Sequence, residues 1–89
     1  MSHSPALLLL SRLNNAKNLV QIGKLYYHYR TPDSFYLVKD IVIGEENEQP
    51  VIIYQATYGD QITWARSLSK WLDYVEHNGE TVRRFTLKE

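Results

Sequence analysis

The 89-residue chain contains no cysteine and only one short run of leucines. The lack of cysteine excludes a disulfide scaffold and a thiolate metal site, and it fits the reducing cytosol. The apolar segment Ala6–Leu10 is too short to span a bilayer, and no Lys or Arg precedes it as in a signal peptide. We therefore predict a soluble, cytoplasmic protein with no membrane partner.

Neither sign of charge is in excess, because ten Lys and Arg residues balance ten Asp and Glu residues. Proteins that bind duplex nucleic acid usually carry a basic excess, since neutralising phosphates drives their affinity. Any basic surface on this chain is therefore local. A hydrophobic fraction of 44% and an aromatic fraction of 12% support a packed core in one small domain.

Residues 1–21 have a helical pattern and form a predicted N-terminal extension. Ser4 and Pro5 are typical of a helix start, and Gly23 of a helix end. Apolar residues recur at three- and four-residue steps, at Ala6, Leu9, Leu13, Ala16 and Val20. Leu7, Leu8 and Leu10 widen this stripe. The helix is expected either to pack on its own domain or to form a homodimer through residues 6–20.

Residues 22–89 have a β pattern and form the second predicted region. The clearest stretch is Val51–Leu68, which reads as a strand, a turn at Gly59-Asp60 and a second strand. Asn78-Gly79 is the strongest short hairpin signal. The predicted strands are Lys24–Tyr29, Phe35–Ile43, Val51–Tyr58, Ile62–Arg66, Tyr74–His77 and Glu80–Thr86.

Tight connections link these strands. Arg30–Ser34 is predicted as a turn, Gly44–Pro50 as an acidic loop and Ser67–Trp71 as a short helical turn. Consecutive short strands with tight turns predict a meander that closes into a small barrel. The predicted fold is thus mainly β, a small barrel with an N-terminal α-helix. Tyr54, Phe85 and Trp71 are expected in its core.

Several short motifs follow one another along residues 22–87, each occurring once. They are Gly23 with Tyr26-Tyr27-His28-Tyr29, then Tyr36-Leu37-Val38, Tyr54-Gln55-Ala56-Thr57-Tyr58-Gly59, Trp64-Ala65-Arg66, and Gly79 with Arg84-Phe85. Together they resemble the small bacterial family called domain of unknown function 1653. Ser67 and Arg83 stand where that family usually has proline. The resemblance implies an SH3-like β-barrel, and it implies no activity.

His28 and Arg66 are the candidates for chemistry. His28 lies in a predicted strand, where it would act as a general base or bond a backbone carbonyl or a Tyr hydroxyl. Arg66 would bind an anion or pair with an internal carboxylate, as would Arg84. Three histidines on separate segments show no zinc spacing, so we expect neither a metal nor a cofactor.

Aromatic residues provide the remaining functional signal. Tyr26, Tyr58, Trp64 and, if it is not in the core, Trp71 would offer a stacking surface for a peptide, a nucleotide, single-stranded nucleic acid or a methylated cation. Trp64 is either a core residue or an exposed groove residue. No nucleophile motif and no glycine-rich phosphate loop is present.

Three functions follow from these candidates. The first is a non-catalytic binding module with a groove of Tyr26, His28, Tyr58, Trp64 and Arg66. The second is a small enzyme or enzyme accessory with His28 and Arg66 in a pocket. The third is a structural protein that oligomerises through its leucine-rich helix.

Overall fold

The computed structural model describes residues 3–89, which form an N-terminal helix followed by a mainly β domain. The helices are α1 (Ala6–Leu19) and α2 (Leu68–Trp71). The strands are β1 (Leu25–His28), β2 (Thr31–Ile43), β3 (Pro50–Ala56), β4 (Thr63–Ser67), β5 (Tyr74–His77), β6 (Glu80–Arg83) and β7 (Phe85–Leu87). The predictions of a mainly β fold and of an N-terminal helix are confirmed.

Five antiparallel strands form one sheet in the order β4-β3-β2-β1-β7. The remaining strands, β5 and β6, form a separate hairpin around Asn78-Gly79. Since β5 and β6 pair only with each other, no strand within residues 3–89 joins β4 to β7. The prediction of a closed barrel is therefore wrong, and the sheet is open with β4 and β7 at its edges.

Two predicted strands differ most from the observed ones. The segment predicted as a turn after Arg30 is the start of β2, where Thr31 pairs with His28 and residues 32–34 of β2 bulge out before Phe35 pairs with Tyr27. Pro32 is tolerated there because it lies near the beginning of the strand. The predicted strand Glu80–Thr86 is two strands separated at Arg84, whose N–H donates to the Asp73 carbonyl at 2.9 Å.

The core lies between the sheet, α1 and α2. Its buried residues are Ala16, Val20, Tyr26, Val38, Ile41, Ile52, Tyr54, Trp71 and Phe85. The Trp71 and Phe85 rings stack with their centroids 3.9 Å apart. The predictions that Tyr54, Phe85 and Trp71 belong to the core are therefore confirmed.

The N-terminal helix packs on its own sheet through one side. Ala16 and Val20 are fully buried, whereas Leu7, Leu8 and Leu10 are exposed. These three leucines, which flank the predicted apolar stripe, face solvent because the helical repeat directs them away from the buried side.

The helix begins directly after Ser4-Pro5, as predicted, but its N-cap residue and its C-terminal end differ from the prediction. Pro5 occupies the N-cap position, and Ser4 instead donates its N–H and hydroxyl to the Glu48 carboxylate, each at 2.8 Å. These hydrogen bonds lower the pKa of Glu48. The helix ends at Leu19, and Gly23, with a φ of +82°, lies in the turn that leads into β1. Within residues 3–89, no helix combines the length and apolarity needed to cross a membrane.

Candidate functional site

A shallow pocket of about 280 Å³ opens beside one face of the sheet. We call it the aromatic pocket, and its lining is His28, Tyr36, Tyr54, Tyr58, Trp64, Arg66 and Phe85. Five of the seven are Tyr, Trp or Phe. Arg66 is the formally charged residue among them.

Strand alternation and strand pairing assemble this pocket. Trp64 and Arg66 are two residues apart on β4, so their side chains share a face. Tyr54 on β3 pairs directly with Trp64, which places the two side chains side by side. His28 on β1 pairs with Phe85 on β7, which extends the same lining across the sheet.

Trp64 is exposed and contributes its ring to the pocket. Its relative accessibility is 51%, whereas that of Trp71 is 2%. The sequence allowed Trp64 to be either a core residue or an exposed groove residue, and its accessibility shows that it is the exposed one. Tyr58 joins it from the connection between β3 and β4 and is also exposed.

Arg66 is half-buried beside an aromatic ring. Its guanidinium carbon lies 5.3 Å from the centroid of Phe85, a distance typical of a cation–π contact. Within residues 3–89 the salt bridges join Arg84 to Asp73 at 3.8 Å and His3 to Glu45 at 3.9 Å, and Arg66 takes part in neither. The guanidinium of Arg66 is therefore available to a ligand.

Arg84 lies close to the pocket and has a structural role. Its ion pair with Asp73 agrees with the internal pairing that the sequence suggested for this residue. The Nε of Arg84 is buried and has no hydrogen-bond partner among the described residues. The positive charge of Arg84 nevertheless lowers the pKa of His28.

His28 is held as a neutral imidazole. Burial lowers its pKa, and the positive charges of Arg84, Arg66 and Arg30 lower it further. The backbone N–H of Arg30 donates to Nδ1 at 3.2 Å, so the proton of the neutral ring lies on Nε2. The bond is to a backbone amide rather than to the carbonyl or Tyr hydroxyl expected from the sequence.

A pair of tyrosine hydroxyls closes one side of the pocket. The Tyr36 and Tyr58 hydroxyls are hydrogen-bonded to each other, and their rings meet edge to face at 5.6 Å. Burial, followed by the hydrogen bond to Tyr58, raises the pKa of Tyr36 to about 12. The Tyr36 hydroxyl therefore remains protonated at neutral pH and can donate a hydrogen bond.

Tyr26 does not belong to the aromatic pocket. Its relative accessibility is 6%, its ring meets Trp71 edge to face at 5.4 Å, and its hydroxyl accepts the Gln21 N–H at 2.9 Å. Of the five predicted site residues, the structure thus brings together His28, Tyr58, Trp64 and Arg66. Tyr26 lies in the core because α1 and Trp71 cover its end of β1.

Sequence reasoning missed Tyr36, and it treated Tyr54 and Phe85 as core alone. Tyr54 and Phe85 are buried and still supply the inner wall of the pocket. The pairing of Tyr54 with Trp64 was the available signal, since the turn at Gly59-Asp60 brings β3 and β4 together. No comparable signal existed for Phe85, which reaches the pocket through long-range pairing of β7 with β1.

The charge and shape of the lining limit what can bind. A guanidinium and the Nε2–H of a neutral imidazole are both donors, and they lie among aromatic rings. Such a site suits an anion that carries a planar or apolar group, and it repels a cation. Among residues 3–89 no group of three or more His, Cys, Asp or Glu side chains is arranged to hold a metal ion.

Comparison with known proteins gives one match. A family model described as "Protein of unknown function (DUF1653)" matches residues 24–87, which include all seven strands and α2. No curated protein and no solved structure matches the chain. The match therefore places every residue of the aromatic pocket inside the family's domain.

Proposed function

We propose that this chain, which belongs to the DUF1653 family of proteins of unknown function, is a non-catalytic binding module. Its aromatic pocket would take an anionic group attached to a planar or apolar part of a ligand. The observation that carries this proposal is the exposed Trp64 in one pocket with the unpaired guanidinium of Arg66. Peptides, nucleotides and single-stranded nucleic acid all contain groups of this kind.

The exposed aromatic surface supports a binding role. Trp64 and Tyr58 are exposed beside each other in the pocket lining, and Ile62 is exposed in the connection that precedes β4. Contiguous apolar surface beside polar groups is a mark of ligand and partner sites. A bound ring would remove part of the indole from water, and each aromatic contact of this kind contributes about 1 kcal/mol beyond area burial.

The electrostatics favour an anion over a methylated cation. Aromatic cages that bind quaternary ammonium groups use the negative faces of their rings. In this pocket Arg66 already occupies the position over one ring, at 5.3 Å from Phe85. A second cation would be repelled by that guanidinium, whereas a carboxylate or phosphate would form a charge-assisted hydrogen bond with it.

The alternative of a small enzyme draws on the presence of His28 and Arg66 in the same pocket. The geometry gives it less support, because a general base needs a free ring nitrogen and the Nδ1 of His28 accepts the Arg30 amide. The lining also offers no carboxylate to orient the imidazole. His28 therefore serves better as a neutral hydrogen-bond donor than as a base.

The binding proposal is tested with two small probes of the same ring and opposite charge. Phenyl phosphate is expected to shift the indole N–H resonance of Trp64 in two-dimensional NMR, and phenyltrimethylammonium is expected to leave it unchanged. Measured by calorimetry, which needs no indole, Trp64→Ala and Arg66→Gln should each weaken phenyl phosphate binding by about tenfold, the effect of roughly 1.4 kcal/mol.

Matched controls come from outside the pocket. Tyr74 is an exposed aromatic with Arg83 over its ring at 4.2 Å, and Lys17 is an exposed cation on α1. Tyr74→Ala and Lys17→Gln should bind phenyl phosphate as the wild type does. If the cationic probe binds better than phenyl phosphate, or if the control variants lose binding equally, the proposed pocket is incorrect.

The homodimer through residues 6–20 stays a prediction. The surface it would use is different from the predicted stripe, because Leu13, Ala16 and Val20 pack on the protein's own sheet. Leu7, Leu8, Leu10 and Leu19 are the exposed leucines of the helix, and the three in its N-terminal half would form the dimer contact.

A further inference from the structure

Strand β4 is an exposed edge of the sheet. It pairs with β3 on one side, and among residues 3–89 no strand pairs with its other side. Its first three residues, Thr63 to Ala65, are all exposed. An exposed edge presents unpaired backbone N–H and C=O groups, which is the requirement for adding another strand.

The register identifies which backbone groups face this free edge. Ala56 donates its N–H to the Ile62 carbonyl at 3.0 Å, immediately before β4 begins. Residues bonded to the neighbouring strand alternate along an antiparallel ladder, so Trp64 is the next residue bonded to β3. Thr63 and Ala65, on either side of Trp64, therefore direct their N–H and C=O groups away from the sheet.

A cleft of about 450 Å³ lies along the same edge. We call it the edge cleft, and its lining is Tyr54, Trp64, Ala65, Arg66, Ser67 and Lys70. Four of these residues are consecutive, from position 64 to position 67. Because successive side chains of a strand point to opposite faces, consecutive residues line one cavity only when that cavity follows the strand's edge.

The edge cleft is positively charged. Arg66 and Lys70 are its charged residues, and no carboxylate belongs to its lining. The pairing of two copies of β4 edge to edge would bring these cations together, so the charge opposes self-association. The same charge attracts an acidic strand from another protein.

We propose that β4 binds an extended acidic peptide segment of a partner protein, which pairs with it as a sixth strand. The proposal rests on the proposed binding function, since the edge cleft and the aromatic pocket share Tyr54, Trp64 and Arg66. Backbone groups of the peptide bond those of Thr63 and Ala65. Its acidic side chains meet Arg66 and Lys70, and a planar side chain enters the aromatic pocket.

Backbone chemistry favours a peptide over single-stranded nucleic acid. The free edge alternates donors with acceptors, because each outward residue supplies both an N–H and a C=O. An extended peptide presents the same alternation at the same spacing of about 6.6–6.8 Å for every second residue. A phosphate backbone only accepts hydrogen bonds, so the outward carbonyls of Thr63 and Ala65 would repel it.

The test begins with a displayed library of random eight-residue peptides selected on the full chain. Selected sequences should be rich in Asp and Glu alternating with β-branched or aromatic residues. Ala65→Pro removes an outward N–H and leaves the side chains of Trp64 and Arg66 in place, so it should weaken the best selected peptide by at least tenfold. Ala65→Ser, which keeps the N–H, should bind that peptide as the wild type does.

Methylating single backbone nitrogens of the selected peptide gives a second readout that needs no change in the protein. Methylation should weaken binding by about tenfold at every second position and have little effect at the positions between. Equal sensitivity at all positions, or none, would overturn strand addition. So would selection of basic peptides, or of none.

Phenyl phosphate separates this inference from the proposed function. Ala65→Pro should still bind phenyl phosphate in the aromatic pocket, which also shows that the variant is folded. Retained phenyl phosphate binding with peptide binding unaffected by Ala65→Pro would overturn the edge proposal alone. If an eight-nucleotide oligothymidylate binds more tightly than any selected peptide, the partner is nucleic acid and the edge proposal is wrong.

Discussion

Replacing Phe85 with alanine should destabilise the protein by about 3–5 kcal/mol, the usual cost of removing a buried aromatic. The ring is 6% accessible and stacks on Trp71 with centroids 3.9 Å apart. It also contacts Tyr54 edge to face at 5.7 Å and lies beneath the Arg66 guanidinium. Since these contacts come from three different elements, the cavity left by the ring cannot collapse through the movement of one side chain.

The expected loss is large compared with the total stability. A domain of this length has a free energy of unfolding of roughly 4–13 kcal/mol. With a urea m-value of about 1 kcal/mol/M, the midpoint should fall by about 3 M or more. Phe85→Leu keeps most of the volume and should lose about half as much or less.

Urea denaturation followed by circular dichroism measures both variants. Tyr74→Ala is the matched control, because Tyr74 is 62% accessible and should change stability by no more than about 0.5 kcal/mol. A Phe85→Ala protein within 1 kcal/mol of the wild type would refute the central position assigned to this ring.

Three further predictions concern the site, the helix and the assembly. His28 should titrate below its ordinary pKa of 6.5 in NMR, and Arg66→Gln should raise the pKa of His28. Because the pKa of His28 is lower in the folded than in the unfolded chain, the unfolded chain binds the extra proton. The free energy of unfolding should therefore fall as the pH drops below about 6.5. A midpoint at or above 6.5 would contradict the half-buried, neutral imidazole. A chain that begins at residue 22 should keep its β signal in circular dichroism and unfold at lower urea, because Val20 is fully buried; unchanged stability would separate the helix from the core. Light scattering of the full chain should give a dimer mass that Leu7→Glu with Leu10→Glu reduces to a monomer mass, and a monomeric wild type at high micromolar concentration would exclude the helix contact.

The sequence predicted the elements better than their arrangement. Alternating β-branched and aromatic residues located β3 and β4, and Asn78-Gly79 located the β5–β6 hairpin. These signals act within a few residues, so they are present in the sequence itself. The placement of Trp64 and Arg66 on one face followed from strand alternation and could also be read from the sequence.

Those local signals could not predict whether the sheet closes into a barrel. An open sheet and a closed one share the same short strands and turns, and they differ in which strand covers each edge. In this protein β7 pairs with β1, residues far earlier in the chain, while β5 and β6 pair with each other. The partner of an edge strand is chosen by packing over the whole domain, which a window of a few residues does not contain.

Burial of individual aromatics was likewise decided by tertiary structure. The alternation of side chains along a strand predicts that Tyr26 and His28 share a face of β1, but it does not predict which residues cover each end of that face. Trp71 covers Tyr26 and places it in the core, while His28 lies at the open end beside Trp64. The sequence by itself determined the strands, the turns and an aromatic core, and the long-range packing of α1, α2 and β7 decided which aromatics that core encloses and which form the pocket.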